Sequence, residues 1–339
     1  MVKKLVKTRK NLMTKVCAYE NLVNAFYKAR RGKPDDKDAL QWEFNLEKNL
    51  LGLQEELLNK GYTTGQYRHF TVFEPKQREI SALPFRDRVV HHAVCNVIEP
   101  IFEKTFVFDS FACRKGKGTH AGTARLQSFL RKKGSKYALK CDVSKYFPSI
   151  DHSILKSLIR KKISDNQLLD LLDEIIDSHA PGIPIGNLTS QLFANIYLNK
   201  LDWFVKQELR VKYYVRYVDD FVLLSDSKEQ LHYFKCLVND FLGTGLNLRM
   251  HPRKAWVFPT SSGVDFLGYR VFPHHRLARK AAVKRFLRKI KPKLSSFFRG
   301  GIQFEKLLES FNSWCAHLSH ASAFALKKSL YLARFKNVF

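Results

Sequence analysis

The 339-residue chain predicts an α+β fold, and three observations carry that prediction. Apolar residues recur at helical spacing over 11–60, 153–180 and 188–206. Before the second of these stretches and after the third lie short runs rich in β-branched and aromatic residues, 137–142 (YALKCD) and 213–225 (YYVRYVDDFVLLS), with the composition of buried strands. Their order, with an amphipathic helix over 228–243 to follow, is that of a βαββαβ, ferredoxin-like unit. With 45% hydrophobic residues the chain can bury a large core, and its length suggests two or three subdomains.

Lys and Arg number 59 against 31 acidic residues, a net charge of +28. An excess of that size implies an acidic polymer as partner, and a nucleic-acid backbone is the simplest one. The six cysteines show no CxxC spacing, so neither a zinc site nor a disulfide framework is indicated, and a reducing cytoplasm is expected. The basic start MVKKLVKTRK is not followed by an apolar run. No apolar stretch of 18 residues occurs, so no membrane association is expected.

Taken in order, 11–60 reads as helices broken at Gly32-Lys33-Pro34 and ended by Gly61, a structural and RNA-binding extension. Residues 67–85 alternate as two strands with a turn near Pro75-Lys76-Gln77. His91 and His92 lack a third ligand at metal spacing and read as ordinary histidines. The basic loop 113–122 (CRKGKGTHAG) lacks the GxxxxGK[ST] spacing of a nucleotide-triphosphatase. Contact of Arg114, Lys115 and Lys117 with nucleic-acid phosphates suits it better, with an exposed charged loop as the alternative. Asp151 is read as a helix cap. The helix over 188–206 begins near Gly186, where backbone can approach a base pair, with Asn187 or Thr189 as cap candidates. The last 69 residues hold 15 Lys and Arg against Glu305 and Glu309, and read as three basic-faced helices over 281–294, 304–318 and 321–335.

The chemistry concentrates at the tips of the strands. Asp219 and Asp220 stand side by side at the turn within 213–225, a costly placement unless a cation joins them. Asp142 ends the strand at 137–142. Three carboxylates from two strand ends suit hard divalent cations, and two such ions about 4 Å apart activate a hydroxyl and stabilise a leaving pyrophosphate. That is polymerase chemistry.

The motifs YVDD, DVSKYF about 75 residues before it, and GIPIGNLTSQLFANIYLNKLD between them resemble the palm motifs of reverse transcriptases, in that family's order. PKQREISALPFRDRVVHHAV and FACRKGKGTHAG resemble its fingers motifs, and LNLRMHPRKAWVFPTSSGVDFLGY its last palm motifs, so the resemblance runs from about Arg68 to Tyr269. It implies a right-hand polymerase: a helical extension over 1–65, fingers over 66–136 with part of 150–190, a ferredoxin-like or RRM-like palm over 137–275, and a basic helical thumb over 276–339.

The resemblance further implies that Asp142, the Val143 carbonyl, Asp219 and Asp220 ligate two Mg²⁺ ions, with Mn²⁺ as the alternative. Arg78 and Lys76 would reach the triphosphate of the incoming deoxynucleotide, with a solvated turn as the alternative. Phe147 falls where the family places a steric gate against the ribose 2′-hydroxyl, with core packing as the alternative. Lys254 falls near the leaving pyrophosphate, as general acid or as phosphate binder. Ile185, Gly186 and Gln191 would face the nascent pair.

Most reverse transcriptases carry Pro-Gln-Gly where this chain has Pro184-Ile185-Gly186, followed by Ser190-Gln191. That departure resembles the reverse transcriptases of diversity-generating retroelements, which copy a template RNA into cDNA with errors at adenines. The implied partners are deoxynucleotides, a structured template RNA, the cDNA/RNA duplex and a basic oligomeric accessory protein, in a bacterial or phage-encoded setting. Two other readings stay open: another bacterial reverse transcriptase, intron-encoded or defence-associated, and a non-catalytic RNA-binding maturase.

Overall fold

The computed structural model describes residues 8–73 and 76–330. Helices α1 (Met13–Cys17), α2 (Tyr19–Arg30), α3 (Lys37–Phe44) and α4 (Leu46–Leu58) build the N-terminal part. A hairpin follows, β1 (Arg68–Val72) and β2 (Arg78–Ala82), in antiparallel register from Arg68↔Ala82 to Val72↔Arg78. Next come α5 (Phe85–Glu103), α6 (Thr119–Leu130), β3 (Tyr137–Asp142), α7 (His152–Arg160), α8 (Asn166–Asp177) and α9 (Leu188–Trp203). Strands β4 (Tyr213–Tyr217) and β5 (Asp220–Ser225), helix α10 (Lys228–Leu246) and β6 (Trp256–Pro259) complete the central unit. A small sheet, β7 (Val264–Phe266), β8 (Tyr269–Val271) and β9 (Arg276–Ala278), leads to α11 (Lys280–Phe298), α12 (Phe304–Ser319) and α13 (Phe324–Leu330). Residues 331–335, the end of the third helix expected from the sequence, lie outside the described residues.

The central sheet has the order β4-β5-β3-β6, with every neighbouring pair antiparallel. This is the strand arrangement of a βαββαβ unit. Alternation along each strand sends one set of side chains to each face. Leu139, Cys141, Tyr214, Phe221 and Leu223 enter the main core with α9 and α10. Ala138, Tyr213, Val215, Val222 and Leu224 enter a second core with Leu126 and Phe129 of α6 and Phe266, Tyr269 and Val271 of the small sheet. Both faces are covered, which explains strands that are nearly continuous in apolar character.

The N-terminal helices share the main core with the central sheet. Leu22, Phe26, Leu50 and Leu57 are fully or almost fully buried in that cluster, and Trp42 packs at 5.8 Å from both Phe26 and Phe85. Asp165 caps α8 through Leu168 N–H and also accepts from the backbone N–H groups of Leu12 and Met13, fixing the start of α1. The N-terminal helices are therefore packed into the same body as the central sheet. Asp151 caps α7 as read from the sequence, its Oδ1 accepting from Ile154 N–H at 3.1 Å. At α9 the expected caps do not form. Asn187 turns its amide to Tyr67 Oη (3.1 Å), and buried Thr189 pairs with His91 Nδ1 (3.0 Å).

Candidate active site

Tyr217 pairs with Asp220, so Val218 and Asp219 are the two residues of the β4–β5 turn. Two-residue hairpins need a left-handed residue, normally glycine or asparagine. Here Val218 takes it, at φ 54°, although a β-branched side chain is strained there by about 1–3 kcal/mol. The turn stands beside the end of β3: Asp220 is the cross-strand partner of Asp142, and Val143 N–H donates to the Asp219 carbonyl at 3.3 Å. The three carboxylates of the sequence motif thus meet at one end of the sheet. Asp142 and Asp220 lie on the sheet face of Ala138 and Val222, away from the main core.

Charge at this end is only partly compensated. Lys254 Nζ lies 2.8 Å from Asp142 Oδ1, and Lys140 Nζ 3.2 Å from Asp220 Oδ2. Asp220 Oδ1 is buried with no hydrogen-bond partner. Burial pushes the Asp220 carboxyl up to about 6, opposed by Lys140 and reinforced by Asp219 and Asp142. Asp219 is also raised, by burial first and then by Asp142, against the charges of Lys254 and Arg78. Among the described residues no three His, Cys, Asp or Glu side chains form a ready-made cation cage. The carboxylates are neighbours, and two of them are held by lysines.

These residues open onto a cleft of about 540 Å³, lined among others by Lys76, Lys140, Asp142, Asp220, Lys254 and Arg279. Lys76 thus lines the same cleft as Asp142, Asp220 and Lys254. Arg78, exposed at the head of β2, acts on Asp219 through its charge. Lys140 was not foreseen, yet the sequence carried its signal: it is a lone charge in an apolar strand, two residues before Asp142 and so on the same face.

The remaining expected residues divide. Phe147 is half-buried in a 3₁₀ turn (Phe147–Ser149), packed edge-on to Tyr146 at 5.6 Å, and is not among the residues lining the cleft. Tyr146 is core, its hydroxyl donating to the Ala194 carbonyl at 2.6 Å. Ile185 is half-buried, and its carbonyl accepts from Ser81 N–H of β2 at 2.9 Å. Gly186 has φ 133°, and a Cβ there would lie 2.8 Å from the Ser81 carbonyl oxygen. The hairpin's close approach is one reason why glycine is needed here. Gln191 is exposed on the first turn of α9.

The basic loop requires a correction. Arg114 is consumed internally: its guanidinium bonds Glu103 at 2.6–3.0 Å and the carbonyls of Val107 and Ser110 at 2.7 Å, leaving 6% of the side chain exposed. It fastens the loop to the end of α5 and is not free for phosphate. Lys117 is partly occupied, donating to the Phe108 carbonyl at 2.8 Å with its ammonium 3.4 Å from the Phe108 ring centroid. Lys115 is exposed.

Comparison with known proteins matches residues 71–271, more than half of the chain, to the family described as "Reverse transcriptase (RNA-dependent DNA polymerase)". Protein YkfC of Escherichia coli is 27% identical over 285 residues, covering 70% of this chain and 74% of that protein. The group II intron-encoded protein LtrA of Lactococcus lactis is 24% identical over 283 residues, covering 62% of this chain and 46% of LtrA. Among solved structures, apo telomerase from Candida tropicalis, truncated from its C-terminal domain, shares the fold at TM-score 0.51 and 14% identity, over 65% of this chain and 55% of that one. The chain therefore spans about three quarters of the E. coli protein and about half of the other two. No helix among the described residues is long and apolar enough to cross a membrane.

Proposed function

The chain belongs to the reverse transcriptase (RNA-dependent DNA polymerase) family, and from that premise we propose that this RNA-directed DNA polymerase copies a structured template RNA into cDNA at the Asp142, Asp219 and Asp220 end of its central sheet. The observation that carries the reading is the pairing of Asp142 with Asp220 beside the Asp219 turn, because polymerisation needs hard oxygen ligands gathered at one point. The donor set suits Mg²⁺, with Mn²⁺ as the alternative, and the buried, unpartnered Oδ1 of Asp220 is an oxygen in want of a cation. Asp142, Asp219, Asp220 and the Val143 carbonyl would hold two such ions. When bound, they would activate the primer hydroxyl and neutralise the leaving pyrophosphate.

The other roles belong to the chain itself. Arg78 and Lys76 bind the triphosphate, Lys254 serves the pyrophosphate, and the Phe147 ring excludes a 2′-hydroxyl. The β1–β2 hairpin acts as fingers, the β3–β6 unit as palm, and α11 and α12 as a thumb whose basic residues follow the duplex backbone. Lys115 meets template or primer phosphate.

The subtype proposed is that of diversity-generating retroelements, working with a basic oligomeric accessory protein. Its support is Ile185, an aliphatic side chain that offers the nascent pair no hydrogen bonds, so discrimination rests on shape and a mispair costs less. Similarity to LtrA favours a second reading, an intron-encoded enzyme copying its own RNA faithfully. The test is extension on an RNA template containing all four bases, with Mg²⁺ and sequencing of the cDNA. Errors concentrated opposite adenine, reduced in Ile185→Gln, are expected. Accurate cDNA, or an adenine error frequency unmoved by Ile185→Gln, would remove the subtype and leave the polymerase.

A further inference from the structure

Arg216 is the largest fully buried side chain among the described residues, and it faces Asp202 of α9, equally buried. Such a pair is expensive to bury, and apolar residues of similar volume usually serve stability as well or better. Yet all five guanidinium N–H groups are used. Nε donates to Asp202 Oδ1 at 2.6 Å, and Nη2 to Asp202 Oδ2 at 2.5 Å and to Ser110 Oγ at 3.1 Å. Nη1 donates to Asn195 Oδ1 at 3.4 Å and to the Val218 carbonyl at 3.0 Å. Tyr214 Oη adds a bond to Asp202 Oδ1 at 2.6 Å.

The bond to Val218 reaches the strained residue of the carboxylate turn, the one held at φ 54°. Strain of that kind persists only where surrounding structure over-determines it. The backbone of Arg216 is itself pinned: its N–H donates to the Asp109 carbonyl and its carbonyl accepts from Phe111 N–H, both at 2.9 Å. These bonds cover the outer edge of β4, an edge strand. Inner core, outer edge and turn are thus joined through one side chain. On the far side of the turn, the Asp219 carbonyl is bonded to Val143 N–H, next to Asp142.

We infer that Arg216 is a positioning residue: clamped by Asp202, it holds the Val218 carbonyl inward and so fixes the turn that presents Asp219 and Asp220 to Asp142. The inference rests on the proposed cation-binding role of those carboxylates. It also explains why a charged residue interrupts the apolar run of β4 two positions before the turn.

The test removes both charges together, as Arg216→Met with Asp202→Leu, since either change alone strands a buried charge. Urea unfolding checks the fold, Mn²⁺ titration followed by electron paramagnetic resonance reads the carboxylates without turnover, and primer extension reads kcat and the deoxynucleotide KM. The expected result is cooperative unfolding, Mn²⁺ affinity weakened by about 10–100-fold as for loss of an outer-shell support, and a fall in kcat with KM unchanged. Should the paired variant not fold, Arg216→Lys decides. It keeps a charge against Asp202, but one ammonium does not reach Asp202 and Val218 together, and Mn²⁺ affinity should again fall. Wild-type Mn²⁺ affinity in a folded variant of either kind would overturn the inference. A wild-type protein that binds Mn²⁺ and extends no primer would sink the polymerase reading alone, whereas one that binds no Mn²⁺ would overturn both.

Discussion

Lys254 Nζ stands 2.8 Å from Asp142 Oδ1, so the first carboxylate of the site is already answered by the residue expected to serve the pyrophosphate. Both side chains are partly exposed, and a pair of this kind contributes only about 0–1 kcal/mol. An ammonium held this weakly would give way at little cost to a divalent cation on the proposed carboxylate set, leaving Lys254 for phosphate. The pairing is better understood as a resting position than as a structural bond.

Lys254→Met should separate the two consequences. The Mg²⁺ concentration for half-maximal rate should fall, because a competing cation is gone. Turnover should fall about 100-fold, the lower range for loss of a general acid. A change confined to the deoxynucleotide KM would show that Lys254 only binds phosphate.

Arg114 and Lys115 are adjacent and should behave differently. Arg114→Ala breaks the clamp on Glu103, Val107 and Ser110 and should lower unfolding free energy by about 1–3 kcal/mol, the cost of leaving its partners unsatisfied, with the salt dependence of RNA binding unchanged. Lys115→Ala should leave stability alone and reduce the slope of log affinity against log salt by about one. Denaturant titration and RNA binding at several salt concentrations check both, and a reversed pattern would restore Arg114 to the nucleic-acid interface.

His91 is wholly buried, and burial, with His92 adding, lowers its pKa to about 3. The folded protein keeps it neutral while the unfolded chain protonates it near its ordinary value, so the unfolded state binds more protons between about 6.5 and 3. Its contribution to stability is complete above pH 6.5 and declines as pH falls below it, by up to about 1.4 kcal/mol per pH unit. His91→Gln should flatten the decline in unfolding free energy between pH 6.5 and 4.5. A slope equal to that of the wild type would show that the imidazole titrates in the fold.

Much of this was legible in the sequence. The 213–225 hairpin was readable because apolar strands flank an acidic tip, and Asp142 because its strand ends in a carboxylate. The three C-terminal helices were readable from periodicity, and the structure describes α11 and α12 close to the expected bounds. What escaped depends on contacts between distant segments. Nothing near Arg114 announces that Glu103 will turn back to meet it. Gly186 looked like a site of approach for a base pair, and only the docking of β2 shows Ser81 in that space. Arg216 did leave a trace, a lone charge inside YYVRYV, but its partner Asp202 lies 14 residues upstream on a helix.

A polymerising site formed by Asp142, Asp219 and Asp220 is tested by Mg²⁺-dependent deoxynucleotide incorporation on an RNA template by the wild type and by Asp219→Asn/Asp220→Asn. Synthesis that requires the cation and is abolished in the variant, which should still unfold cooperatively, is the predicted result. Synthesis that survives in the variant would show that polymerisation does not depend on these carboxylates.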